Sequence, residues 1–391
     1  MNAAPDDGPD GRGAGAVFLT RLGLTDFRNH AALSLTLDSR AVVLVGENGA
    51  GKTNLLEAVS LLSPGRGLRR ATLEALARIG GPGNWSLAAR LETPDGEVRI
   101  GTGTDVPPPG ETVRSRRVRI DGTEQRSAEV LGDYLAVLWL TPAMDGLFTG
   151  APGDRRRFLD RLVLAIDSGH GRRVSAYERA LAQRNRLLDD PAADRAWLDA
   201  VEIEIAELGT AVAAARRELV GCLAELAPEA DDLFPRAELA LEGEIEALMD
   251  GMSAVQAEDA FRARLRDGRA RERAAGRTLT GPHRSDLAVT HSAKGMPAAR
   301  ASTGEQKALL IGIVLAHARL VSRLTRRTPL LLLDEVAAHL DPRRRAGLFR
   351  RLAGLGTQAW MTGTDAALFE ATGAEAQQFQ VADGQLSPLS R

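Results

Sequence analysis

A single cysteine, Cys222, stands in 391 residues. That count excludes an internal disulfide and any cysteine-based zinc cluster, agrees with a reducing compartment, and leaves Cys222 to read as a small core residue. Long apolar runs are missing too. The longest, from Ala308 to Ala316, falls short of the roughly 20 residues a membrane-spanning helix requires. The N-terminus lacks the charged-then-apolar pattern of a secretory signal, so the expectation is a cytoplasmic protein. Lysine is almost absent: only Lys52, Lys294 and Lys307 accompany the arginines, and the formal net charge is -2. A GC-rich genome produces abundant arginine, so only its placement carries information. What is present is ordinary for soluble globular proteins, 44% hydrophobic and 26% charged, which excludes a disordered chain and allows two or three domains with substantial cores.

The stretch that organises the rest is Gly46-Glu47-Asn48-Gly49-Ala50-Gly51-Lys52-Thr53. It fits G-x-x-x-x-G-K-[ST] and follows the β-branched run Ala41–Val45, as a phosphate-binding loop between a strand and a helix should. Its glycines let successive N–H groups point into one concavity. Lys52 brings a point charge for β and γ phosphates, Thr53 a hydroxyl for Mg²⁺, and the helix begun by Asn54-Leu55-Leu56 an N-terminal dipole that favours an anion.

Taken in order, residues 1–16 are Gly, Pro, Asp and Ala with little to bury and read as a flexible tail. Val17–Leu24 reads as a strand, Phe27-Arg28-Asn29 as a loop, and Leu33–Leu37 as a half-buried strand. Between Trp85 and Ile120, short alternating strands with turn signals at Pro94-Asp95-Gly96 and Asp121-Gly122 predict an antiparallel sheet beside the nucleotide sheet. Pro107-Pro108-Pro109-Gly110 marks a surface loop. Arg114, Arg116, Arg117 and Arg119 follow it, with Arg117 and Arg119 on one strand face, either solvated or in contact with phosphate. Ala136–Leu140 reads as a buried strand.

From about 151 to 275 the pattern is almost wholly helical, punctuated by Pro191, Pro228 and Pro235. The clearest helix is predicted to start at Pro191 behind Asp189 and Asp190, carrying Trp197, Val201, Ile205, Leu208, Val212, Ala215, Leu219, Leu223 and Leu226 on one stripe. A second helix, Phe261–Arg277, places Arg262, Arg264, Arg266, Arg269, Arg271, Arg273 and Arg277 around its circumference, a solvated face or a nucleic-acid contact. Strands resume at Leu279, with a hairpin near Lys294-Gly295. Ser302-Thr303-Gly304-Glu305-Gln306-Lys307 opens an apolar helix, Leu330–Leu333 is a central strand ending in Asp334-Glu335, and the last α/β unit is a helix over Arg343–Leu355 with a strand over Gln358–Thr362.

Phosphoryl transfer to water requires a phosphate cradle, a metal with an acid to hold it, a group that aligns or deprotonates the water, and positive charge or dipoles on the γ-phosphate. Asp334, after four leucines, is the metal-side acid. Glu335 is placed to accept the water's proton. An Asp-Glu pair at the end of a buried strand would be costly with no cation to face. Ser302, Gly304 and Gln306 at a helix start form a second phosphate reader. That order, signature helix and then apolar strand ending Asp-Glu, belongs to ATP-binding-cassette heads, where the signature helix binds the γ-phosphate held by the other subunit.

The chain resembles the RecF family of SMC-like DNA repair ATPases along nearly its whole length after the tail. The resemblance rests on Phe27-Arg28-Asn29, the phosphate loop with Asn48, Val118-Arg119-Ile120-Asp121-Gly122, Arg155-Arg156-Arg157-Phe158-Leu159-Asp160, Gln183–Leu188, Ser302–Lys307 and Asp334-Glu335. Gly281-Pro282-His283-Arg284-Ser285-Asp286-Leu287 is the most diagnostic stretch. The implied fold is α/β: an ABC-type P-loop ATPase head, a mixed sheet with an antiparallel β subdomain, and an inserted α-helical lobe. The corresponding division is a head over 17–150 and 278–391 with a lobe over 151–277. The resemblance implies a weak ATPase using ATP and Mg²⁺ that dimerises on ATP, binds gapped DNA or single-strand junctions and, with RecO and RecR, helps load RecA. It also implies that Arg28 and Asn29 lie near the nucleotide. DNA contact is expected from Arg117, Arg119, Arg264, Arg266 and Arg271. Where the family carries an acid after Leu140-Thr141-Pro142, this chain has Ala143-Met144 before Asp145. Thr362 and Thr364 stand where many cassette ATPases place a switch histidine, so sensing there must use a hydroxyl or the backbone. Two other readings share these motifs. A transporter's ATPase subunit is opposed by the long insertion between Thr53 and Ser302. A DNA clamp using ATP only as dimer glue is opposed by Glu335.

Overall fold

The computed structural model describes residues 15–106, 115–226 and 233–389. The Pro107–Gly110 loop, Arg114, Pro228 and all but the last two residues of the expected tail lie outside them. Along the chain come β1 (Phe18–Phe27), β2 (His30–Thr36), β3 (Ala41–Val45), α1 (Lys52–Ser60), β4 (Ser86–Thr93), β5 (Gly96–Gly103), β6 (Arg117–Ile120), β7 (Thr123–Gln125) and β8 (Val137–Leu140). Then follow α2 (Pro152–Leu164), α3 (His170–Asp189), α4 (Arg195–Leu226), β9 (Ala237–Glu242), α5 (Glu244–Leu248), α6 (Ala254–Ala275), β10 (Asp286–His291), β11 (Met296–Pro297) and α7 (Thr303–Thr325). The chain closes with β12 (Leu330–Leu333), α8 (Pro342–Gly354), β13 (Ala359–Gly363), β14 (Ala376–Ala382) and β15 (Gln385–Pro388).

Two compact units result. The first runs to Asp145 and resumes at Leu310; the second lies between Gly146 and Leu309, apart from a short stretch around Phe234 that belongs to the first. The first unit holds two six-stranded sheets. One, ordered β2-β1-β4-β5-β6-β7, is antiparallel throughout, as the alternating pattern predicts. Its β6–β7 turn puts both Asp121 and Gly122 at positive φ, the backbone a two-residue hairpin of matching twist demands. The other is ordered β15-β14-β3-β13-β12-β8, parallel except for the edge strand β15. Continuous apolar runs such as Leu330–Leu333 and Val137–Leu140 make its central strands, buried along their whole length, as a sheet covered on both faces requires. Leu55, Leu56 and Val59 of α1 share one core with Leu22 and Leu87 of the first sheet, with Trp85 just before β4, and with Leu44 and Trp360 of the second sheet. The strand expected to be last, β13, lies inside the sheet, and β14 and β15 follow it.

The second unit is built on α4, whose 32 residues make a rod of roughly 48 Å. It begins later than the sequence pattern indicates. Pro191 ends the preceding helix, Asp189 is that helix's last residue, and Asp194 caps α4 by accepting the Ala196 N–H at 2.9 Å. Trp197 consequently falls outside the buried stripe, 54% exposed, while Leu198 is buried. Gly209 is where α4 lies closest to its neighbours: a Cβ there would come within 2.7 Å of Phe261 and 2.9 Å of Tyr177. Helix α6 also differs from the prediction. It starts at a capping box of Ser253 with Gln256 and ends at Gly276, whose left-handed backbone closes it. The insertion is not wholly helical, because Ala237–Glu242 alternates and pairs with β10. Cys222 is only half-buried. Helix α7 is long and apolar enough to cross a membrane by length and composition, longer than the run from Ala308 suggests, but most of its apolar window is buried within the fold.

Candidate functional site

The phosphate loop leaves the carboxyl end of β3, where Gly46 donates its N–H to the Gly363 carbonyl of β13. Side chains are excluded from two of its positions. A Cβ on Gly46 would strike the Val381 carbonyl, and one on Gly51, at φ +111°, would come within 2.5 Å of the Asn29 amide. Gly49 is also left-handed, at φ +85° with open space beside it, and Glu47 and Asn48 are exposed. Ala50 donates its N–H to Glu47 at 3.2 Å, closing the loop. No side chain caps α1, so its first turn retains the bare N–H groups that suit an anion. Lys52 is 5% exposed and spans the loop, its Nζ donating to the Gly46 and Glu47 carbonyls at 2.6 and 2.8 Å. Burial pushes the Lys52 ammonium below its ordinary pKa, an effect opposed by the nearby Glu335 and Asp334 carboxylates.

Three hydroxyl and carboxylate groups meet at the end of this loop. Thr53 Oγ1 lies 3.0 and 3.1 Å from the two Asp334 oxygens, and Thr362 Oγ1 donates to Asp334 Oδ1 at 2.8 Å. The same Thr362 hydroxyl accepts the Glu335 N–H at 2.9 Å. Glu335 sits at φ +53°, an uncommon region for a residue with a side chain. Thr362 lies in β13, Asp334 and Glu335 directly follow β12, and Thr53 lies in the first turn of α1 after the loop that leaves β3, so all four gather at the carboxyl ends of neighbouring parallel strands, the place where open α/β sheets hold ligands. Thr53 and Asp334 offer the hard oxygens that Mg²⁺ prefers, so the residues fit that ion. Among the described residues no cluster of three or more His, Cys, Asp or Glu forms a separate metal site.

The β1–β2 turn brings Arg28 and Asn29 to the loop's outer side. Arg28, at φ +54°, grips the buried Glu57 of α1 through two bonds of 2.8 and 2.9 Å and donates to the Ala75 carbonyl. Asn29 donates to the Ala50 carbonyl at 3.2 Å and accepts from Asn54 at 2.7 Å. Arg69, which motif reading missed, bonds both Asn54 and Glu57. A polar chain therefore runs from Arg69 through Asn54 and Asn29 to the phosphate loop. The signal was a basic Gly-rich stretch after α1, from Arg66 to Arg70, with no apolar periodicity to mark it.

In the second unit, Ser302 caps α7. Its hydroxyl accepts the Glu305 N–H at 3.4 Å while the Glu305 carboxylate takes the Ser302 N–H at 3.0 Å, a reciprocal capping box, and the hydroxyl also donates to that carboxylate at 2.9 Å. Lys294 holds the same carboxylate, and with the Ser302 bonds it brings the Glu305 pKa down to about 2. Gln306 is buried, and its amide donates to the Ala301 carbonyl at 2.8 Å. That engagement takes Gln306 out of reach; Ser302, Thr303 and Gly304 are exposed, and the Ser302 hydroxyl meets a phosphate only by leaving Glu305.

The arginines expected to meet DNA are unequal. Arg117 and Arg119 do share a strand face, but Arg117 is already gripped by Glu124 and by Asp105, which hold its pKa above the ordinary arginine value. Arg119 is exposed. On α6, Arg269 is held by Glu202 and Asp199, while Arg264 and Arg266 approach acids only at 3.7 and 3.9 Å. Arg264 and Arg271 line an open cavity of about 720 Å³ with Glu244 and Asp267.

Comparison with known proteins agrees with this architecture. The family model described as RecF/RecN/SMC N terminal domain matches residues 18–385. The DNA replication and repair protein RecF of Rhizobium leguminosarum bv. trifolii (strain WSM2304) is 56% identical over 375 residues, 95% of this chain and 98% of that protein. Its counterpart from Rhizobium meliloti (strain 1021) is 56% identical over 373 residues, 95% of this chain and 99% of the relative. Among solved structures, the recombination mediator protein RecF with ATP in the RecFOR pathway superposes with a TM-score of 0.82 at 21% identity, covering 96% of this chain and 98% of the other. An Smc head bound to the C-winged helix domain of ScpA gives 0.51 at 16% identity, over 95% and 98%. These last two are likenesses of fold. The fold is thus that of RecF and SMC heads, and the chain belongs to the RecF family of DNA replication and repair proteins.

Proposed function

We propose that this protein is an ATP-dependent DNA-binding protein of recombinational repair and replication restart. In this reading it dimerises around ATP on gapped or single-strand/duplex junction DNA, works with RecO and RecR to load RecA in the cytoplasm, and hydrolyses ATP slowly. The observation that carries it is the convergence of Thr53, Asp334, Glu335 and Thr362 at the mouth of a phosphate loop on one sheet edge. The loop N–H groups and Lys52 bind the β and γ phosphates, and Lys52 gives up its two carbonyl contacts for the anion. Mg²⁺ held by Thr53 and Asp334 would supply the charge that neutralises the phosphates. Glu335 takes the proton of the attacking water, its backbone fixed by the Thr362 hydroxyl. Ser302 and Gly304 of a second copy complete the γ-phosphate site, which makes ATP the link between two chains.

Phosphate contact with DNA is assigned to Arg119, Arg264, Arg266 and Arg271, with Arg117 a weaker candidate because its charge is already paired. The test is salt-dependent binding to gapped, single-stranded and duplex DNA with and without ATP. Changing Arg264, Arg266 and Arg271 together to Ala flattens the slope of log K against log salt by about 0.9 for each duplex phosphate no longer neutralised, and ATPase activity without DNA survives. An unchanged slope would make α6 a solvated face.

A further inference from the structure

The run Gly281–Leu287 is used almost completely inside the second unit. Gly281, at φ +136°, has no room for a Cβ against the Tyr177 hydroxyl and lies where one would come within 3.0 Å of Phe261. The Pro282 carbonyl accepts from Arg216 at 2.7 Å. His283 is held at both ring nitrogens, by the Tyr177 hydroxyl at 2.8 Å and the Thr278 carbonyl at 3.1 Å. Ser285 donates to buried Glu246 at 2.7 Å, and Asp286 receives two bonds of 2.7 Å from Arg155. One side chain of the run is left over. Arg284 is exposed, its N–H closes the turn on the Gly281 carbonyl at 2.9 Å, and its guanidinium has no hydrogen bond or ion pair among the described residues.

Its neighbours do not neutralise it. Arg156 reaches the same turn, donating to the Ser285 carbonyl at 2.7 Å. The acids that could have answered these two are committed, Asp286 to Arg155 and Asp160 to Arg216 through two bonds of 2.8 Å. Burial is the largest cause lowering the pKa of Arg156 and of His283; repulsion from Arg216 and then Arg284 adds to it at Arg156, partly opposed by Asp286 and Asp160, and repulsion from Arg284 adds to it at His283. Holding two guanidiniums together over a rigid turn is unfavourable until an anion bridges them, and the fixed fork of arginine suits phosphate oxygens.

We infer that Arg284, presented by this anchored turn beside Arg156, is a binding site for a backbone phosphate of DNA. The inference rests on the DNA-binding reading above and assigns it a site outside α6 and the β6 strand. Duplex DNA carrying a single-strand gap, titrated with ATP present over a range of salt, tests it in the full-length protein. R284Q weakens binding about eightfold at 0.1 M salt and makes the log–log slope shallower by about 0.9, the value for one phosphate contact. R284K, which keeps the charge on the turn, restores most of the slope. ATP affinity and thermal stability stay at wild-type values in both, because the side chain supports nothing inside the unit. A wild-type slope and affinity in R284Q, while the α6 triple variant loses slope, would overturn this site and leave the DNA reading standing. No salt-dependent DNA binding by the wild type would overturn both.

Discussion

Thr362 shows how one hydroxyl can serve two acids. It donates to Asp334 and accepts the N–H of Glu335, so it fixes relative to each other the two acids to which the proposed reading gives the metal and the attacking water. Replacing it with valine keeps the shape and removes both bonds, leaving a partly buried N–H unpaired at a cost of about 1–3 kcal/mol. The expected outcome is a fall in kcat on the order of a hundredfold, as misplacement of reacting groups produces, with ATP affinity nearly unchanged. A steady-state assay paired with nucleotide titration separates the two, and an unaltered kcat would remove Thr362 from the site. Lys52 belongs to the opposite class. Its burial is offset in part by the Gly46 and Glu47 carbonyls and by the Asp334 and Glu335 carboxylates, and a bound phosphate adds the closest countercharge, so Lys52→Ala abolishes ATP binding without loosening the fold. Retention of ATP affinity in that variant would show that the phosphates bind elsewhere.

At the scale of elements, α3, α4 and α6 are locked by charge as well as by apolar contact. Arg184 is wholly buried and bonds Glu202 at 2.9 Å, Glu272 at 2.6 Å and the Leu265 carbonyl at 2.7 Å. Removing one partner of such a group strands a charge in low dielectric. Glu272→Ala should therefore destabilise the protein by about 3–5 kcal/mol, visible as an earlier denaturant midpoint, and a shift of less than 1 kcal/mol would show that water reaches Arg184. The arginines of α6 looked alike in the sequence, yet the fold spends Arg269 on Glu202 and Asp199 and leaves Arg271 exposed. Periodicity cannot reveal that sorting, since it depends on which acids another helix brings within reach. The motifs whose function is backbone shape were the most legible: a glycine at 46 or 51 is demanded by local geometry. So were the buried strands Leu330–Leu333 and Val137–Leu140, whose unbroken apolar runs have one reading in an α/β sheet. Helix starts were less legible, because Asp190 and Asp194 are both good caps and only the break at Pro191 decides between them. The Arg69–Asn54–Asn29 chain was not legible, since it joins residues whose contact is created by tertiary packing.

For the molecule as a whole, the proposed function has ATP join two copies. The phosphate loop with Asp334 and Glu335 lies in one compact unit, and Ser302 and Gly304 lie in the other. Binding of ATP by the dimer alone stabilises that dimer by mass action, so blocking hydrolysis should accumulate it. Glu335→Gln removes the proton acceptor and leaves Lys52, Thr53 and Asp334 in place. Light scattering on this variant with saturating ATP and Mg²⁺ is the most direct measurement. The expected result is a stable dimer whose mass reverts to the monomer when ATP is removed. A variant that remains monomeric at saturating ATP, while the wild type dimerises, would contradict it.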